Sequence, residues 1–95
     1  MKGEHDIVLH KFHARKTMEK IIRDLISQIV ELEKNVTDSI DLDTDLVEYG
    51  LNSLNAIELV VRLEEEFEIE VDDENLLIDN INTINKLMSI INNKQ

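Results

Sequence analysis

The chain contains no cysteine, no proline and no tryptophan, and only two glycines in 95 residues. Without cysteine there is neither a disulfide framework nor a thiolate metal site, so nothing argues for a secreted protein. With no proline, and with glycine only at Gly3 and Gly50, little interrupts a helix, and an all-α chain of helices joined by polar loops is expected. Aromatic residues make up 3%, which leaves Ile, Leu and Val to build the core. No apolar run approaches the roughly 18–20 residues of a membrane span. Lys2 is not followed by the apolar core of a signal peptide. A soluble, cytoplasmic protein is expected, and the sequon Asn35-Val36-Thr37 then reads as coincidence.

What the chain does have is acid. Its formal net charge is −11, placed unevenly. Residues 38–79 hold fifteen Asp and Glu against a single base, Arg62, whereas residues 1–37 are close to neutral. Such a surface repels nucleic acid and anionic membranes and steers toward basic protein partners. With 42% apolar residues, the length suits one domain with one modest core.

Residues 1–13 show no sustained period and read as a flexible leader before a domain over residues 14–95. His5, His10 and His13 lie in that leader, and no ligand set accompanies them, so no native metal site is expected. From about Thr17, Met18, Ile21, Ile22, Leu25, Ile26, Ile29, Val30 and Leu32 recur in steps of three and four. That spacing predicts a first helix ending near Glu33 or Lys34, with Asn35 as its C-terminal cap. A long polar connection, Val36 to Asn52, carries spaced apolar residues that should pack back onto the helices. Gly50 supplies a turn with positive φ.

A second helix begins at Asn52 or Ser53, both good N-cap residues. Its apolar positions are Leu54, Ile57, Leu59, Val60, Val61, Leu63 and Phe67. A short third helix capped by Asp72 or Asp73 follows. A last helix opens at Thr83 with Ile84, Leu87, Met88 and Ile91 on one face and ends at Asn92 and Asn93. The segment Gly50-Leu51-Asn52-Ser53-Leu54 is the one that carries chemistry. It sets a hydroxyl at the first turn of a helix, where free amides and the positive end of the helix dipole favour a phosphate ester. The plainer reading makes Ser53 only an N-cap, a contribution of about 1 kcal/mol.

Beyond those five residues, the chain resembles the acyl and peptidyl carrier proteins, whose phosphopantetheine attachment site usually reads Gly-x-Asp-Ser-Leu. The resemblance runs from about Thr17 to Ile91. It takes in the acidic loop Asp41-Leu42-Asp43-Thr44-Asp45-Leu46, then Glu58-Leu59-Val60-Val61, Leu63-Glu64-Glu65-Glu66-Phe67 and Glu70-Val71. It implies a four-helix bundle with a long loop between helices one and two and a short third helix. It also implies that Ser53 takes a 4′-phosphopantetheine arm from coenzyme A, and that Leu54, Glu58, Val61 and Glu65 dock partners.

Those partners would be a phosphopantetheinyl transferase, an acyl- or aminoacyl-loading ligase and downstream synthase or transferase enzymes, with the carrier itself a monomer and not an enzyme. No base lies close in sequence to Ser53, so activation of its hydroxyl falls to the transferase. Two positions depart from the pattern at the docking face: Asn52 stands where Asp is usual, and Arg62 adds a cation. Together they point to partners outside a standard fatty acid synthase, in non-ribosomal peptide or polyketide synthesis, with fatty-acid synthesis the alternative.

Three other readings are weaker. Asp41, Asp43 and Asp45 alternate as in a calcium loop, but the Gly and Glu that such a loop needs are Leu46 and Asn52 here. A serine hydrolase would need a Gly-x-Ser-x-Gly elbow, which is missing. An unmodified acidic helical adaptor would bind partners without any use for the Ser53 hydroxyl.

Overall fold

The computed structural model describes residues 15–94, which are all helices, turns and loops, with no β-strand among them. The leader, with its three histidines, lies outside the described residues. Three longer helices carry the core: α1 (Arg15–Ile29), α3 (Ser53–Phe67) and α5 (Ile84–Lys94). Between them lie two short helices, α2 (Lys34–Asp38) and α4 (Ile78–Ile81), and two 3₁₀ turns, Leu46–Tyr49 and Asp73–Leu76.

Helix α1 buries Met18, Ile22, Leu25 and Ile26, helix α3 buries Ala56, Leu59, Val60, Leu63 and Phe67, and helix α5 buries Ile84, Leu87, Met88 and Ile91. Each set repeats at helical spacing, so three apolar stripes close on one another and exclude water. Thr83 caps α5 as expected, its Oγ1 accepting from the Lys86 amide at 3.1 Å.

Helix α1 stops earlier than the apolar spacing predicts. Glu31 takes a positive φ of 58°, and the Leu32 amide reaches back to the Ser27 carbonyl at 3.0 Å. That bond is the Schellman closure, usually made around glycine. Helix α3 ends the same way: Glu68 has φ 54°, and the Ile69 amide donates to the Glu64 carbonyl at 3.1 Å. Asn35 is therefore not a cap but lies inside α2.

The expected short third helix is also corrected. It divides into the 3₁₀ turn Asp73–Leu76 and the single turn α4, with Leu77 extended between them (φ −68°, ψ 137°), and Asp72 precedes the turn without a side-chain cap bond. The last helix runs on past Asn92 and Asn93 to Lys94.

The long connection is pinned at both ends. Arg23 on α1 donates from Nη1 to the carbonyls of Thr37 at 2.7 Å and Ile40 at 2.8 Å, while its Nε pairs with Glu19 at 2.9 Å. Further on, the Leu46 amide donates to the Asn82 carbonyl at 2.7 Å, and the Asn85 amide donates to the Leu42 carbonyl at 3.0 Å. Ile40, Leu46 and Leu51 of the same connection drop into the core. The connection thus packs back onto the helices and delivers the chain to the start of α3.

Candidate functional site

Gly50 has φ 110°, which an L side chain rarely adopts, and it ends the 3₁₀ turn Leu46–Tyr49. A Cβ at Gly50 would lie 3.8 Å from Val30 Cβ, so α3 begins beside the end of α1. Leu51 is buried, and the next residue, Asn52, is extended and caps α3.

The cap is a reciprocal box built from two asparagines. Asn52 Oδ1 accepts from the amides of Leu54 and Asn55, both at 2.9 Å. Asn55 Oδ1 accepts from the Asn52 amide at 2.7 Å, and its Nδ2 donates to the Gly50 carbonyl at 3.0 Å. With both asparagines so engaged, the reading of Ser53 as an N-cap is overturned. Ser53 is the first residue of the helix; it is exposed, and its hydroxyl takes no part in the cap. No histidine lies among the described residues, so none of them offers an imidazole as base to this hydroxyl.

The apolar positions of α3 divide into two groups. Leu59, Val60, Leu63 and Phe67 face the core, whereas Leu54 is 84% exposed, Ile57 43% and Val61 45%. Glu58 and Glu65 are exposed among them. Residues three and four apart are neighbours on a helix, so Leu54, Ile57, Glu58, Val61 and Glu65 form one surface strip starting beside Ser53. Arg62 flanks that strip, half-buried, its Nη2 donating to Gln28 Oε1 on α1 at 2.8 Å. Ile57 had no docking role in the sequence pattern. Its signal was its place three residues after Leu54 and four before Val61.

Among the described residues, no group of three or more His, Cys, Asp or Glu is gathered for a metal ion. No helix there is long and apolar enough to cross a membrane. The Asp41–Asp45 stretch is spent on structure: Asp45 caps the 3₁₀ turn through the Val47 amide at 3.0 Å, and Asp43 accepts from Asn85 Nδ2 at 2.6 Å.

A small acidic bundle that holds a hydroxyl free at a rigid helix start, with an apolar strip beside it, is a presenting scaffold. The comparisons with known proteins define the class. The family described as "Phosphopantetheine attachment site" matches residues 20–91. An acyl carrier protein of Buchnera aphidicola subsp. Schizaphis graminum (strain Sg) is 37% identical over 79 residues, covering 81% of this chain and 92% of the relative. Another, from Buchnera aphidicola subsp. Acyrthosiphon pisum (strain 5A), is 36% identical over 81 residues, covering 83% and 94%.

The chain belongs to the phosphopantetheine-binding carrier protein family. The prosthetic group of that family is 4′-phosphopantetheine, and an exposed, uncommitted primary hydroxyl is the nucleophile that a phosphodiester to it requires.

Proposed function

We propose that this protein is an acyl or peptidyl carrier whose Ser53 bears the 4′-phosphopantetheine arm, and that α3 docks the enzymes that load and use it. The observation that carries the reading is the cap itself. Asn52 and Asn55 do the capping and leave the Ser53 hydroxyl exposed, with no structural task. When bound, the group supplies a thiol for thioester chemistry, which this cysteine-free chain lacks.

The chain's own residues do the rest. The Asn52–Asn55 box and Gly50 fix the turn from which Ser53 projects. Activation of its hydroxyl falls to the transferase. Leu54, Ile57 and Val61 give a partner apolar area, while Glu58 and Glu65 attract its basic residues and speed encounter. Asn52, Leu54, Glu58, Val61, Arg62 and Glu65 would be the residues read by a phosphopantetheinyl transferase, a loading ligase and the downstream synthase or transferase enzymes. The protein would act as a monomer in the cytoplasm and would not itself be an enzyme.

For the pathway, the naming of the relatives as acyl carrier proteins supports an acyl cargo, as in polyketide or fatty-acid synthesis. The neutral Asn52 and the cationic Arg62 support partners outside a standard fatty acid synthase, where a peptide pathway would bring an aminoacyl cargo instead.

The test is intact mass after incubation with coenzyme A and a broad-specificity phosphopantetheinyl transferase, with Ser53→Ala alongside. One added phosphopantetheine unit in the parent and none in a folded Ser53→Ala variant is the expected result. A parent that gains nothing while keeping its helical circular dichroism would defeat the proposal and favour the unmodified adaptor.

A further inference from the structure

Helix α3 bears four glutamates, Glu58, Glu64, Glu65 and Glu66, with Glu68 at its C-terminal cap, and one cation, Arg62. An arginine placed there for helix stability would pair along the helix, with Glu58 four residues before it or Glu66 four after it. It does neither. Among the described residues, no carboxylate lies within 4.0 Å of its guanidinium, and its partner is the neutral amide of Gln28, Oε1 accepting from Nη2 at 2.8 Å. Gln28 therefore holds the side chain in place without cancelling its charge.

Among the described residues, the four remaining donors of the guanidinium have no acceptor. A planar fork held at one corner is organised to receive a carboxylate. Its position is equally specific: it borders the exposed strip of Leu54, Ile57 and Val61 on the side that faces α1, while Glu58 and Glu65 lie within the strip.

We infer that Arg62, anchored by Gln28, is a specificity residue that selects a partner protein of mixed charge. This rests on the carrier reading above. The partner's docking face offers an apolar socket to Leu54, Ile57 and Val61, basic residues to Glu58 and Glu65, and one carboxylate to Arg62 at the edge nearest α1. A partner whose face is basic throughout meets Arg62 as a like charge, so the same residue that attracts the right enzyme repels the wrong one. Because the contact lies at the rim, it acts mainly on encounter and fades with salt.

The experiment uses the full chain and, as probe, a broad-specificity phosphopantetheinyl transferase with a basic docking face. Variants of that transferase, in which each Lys or Arg of the face is replaced in turn by Glu, complete the probe set. KM for modification is measured by intact mass at low and high salt for the parent, Arg62→Gln and Arg62→Glu, with melting temperatures recorded for each.

Against the unaltered basic transferase, Arg62→Glu should lower KM about three- to tenfold at low salt and little at high salt. Among the Glu-bearing transferases, at least one should favour the parent over Arg62→Glu, with Arg62→Gln between them. If KM is the same for all three carriers with every transferase, the inference is overturned, and Arg62 is only a tie between α1 and α3. A change in melting temperature alone would be that same negative result. The absence of mass gain in the parent with every transferase is a different failure, that of the carrier reading itself.

Discussion

The site on α3 depends on a residue far from it in sequence, and removing that residue should be costly. Arg23 holds α2 and the first part of the long connection through two carbonyls, Thr37 and Ile40, at 2.7 and 2.8 Å. Its side chain is 11% exposed, so little water is at hand to replace it. Arg23→Met keeps most of the apolar stem and removes the guanidinium. Hydrogen bonds from a charged donor contribute about 1.5–3 kcal/mol each. The Thr37 carbonyl keeps a second donor, the Ile40 amide at 3.2 Å, which argues for the low end. The pair with Glu19 is a partly exposed contact one helical turn away and adds only about 0.3–0.5 kcal/mol.

Together these give a loss of about 3–4 kcal/mol. In a domain of this size that corresponds to a fall in Tm of roughly 12–30 °C. Urea unfolding and thermal circular dichroism of the parent and Arg23→Met read it directly. An Arg23→Met protein within about 0.5 kcal/mol of the parent, the ordinary range of a surface substitution, would refute the view that this side chain pins the connection.

Two further outcomes follow from the same geometry. Gly50→Ala should destabilise by about 1–3 kcal/mol through its backbone alone, because the added Cβ meets only Val30 at an ordinary 3.8 Å; chemical denaturation measures it, and an unchanged midpoint would show that the turn can relax. Leu59→Ala and Leu54→Ala should separate stability from docking. Leu59 is wholly buried and its truncation should remove about 2–5 kcal/mol, whereas Leu54, 84% exposed, should leave the unfolding midpoint in place and raise the KM of the transferase.

The helix faces were legible in the sequence where apolar spacing and capping chemistry agreed. Asn52 ahead of Ser53 and Thr83 ahead of Ile84 mark true starts, because each presents a side-chain acceptor to the amides that follow. The helix ends were not legible. Apolar spacing continues through Val30 and Leu32 because both still pack against the core after the helix has stopped. The stop itself falls on Glu31, a residue whose side chain gives no warning of positive φ. Glu68 repeats the case. A chain with almost no glycine still needs left-handed residues to close its helices, and it takes them at glutamate, at about 1–2 kcal/mol each.

The division of α3 was half legible. Leu54 and Val61 look like Leu59 and Val60 in any hydrophobic pattern, and only the packing of α1 and α5 decides which of them face water. Arg62 was legible as a departure in charge, but its anchor, Gln28, was not, since the two are 34 residues apart.

The two backbone bonds that join Leu46 to Asn82 and Leu42 to Asn85 make the neighbourhood of Ser53 a product of distant chain. The approach to that serine is set by the opening turn of α5, long after the serine itself in the order of synthesis. A short peptide copied from around Ser53 would keep every residue of the motif and lose the shape in which it is offered. On the proposed function, recognition belongs to the folded domain, and substitutions near Asn82 and Asn85 would alter how the serine is read without coming near it in sequence.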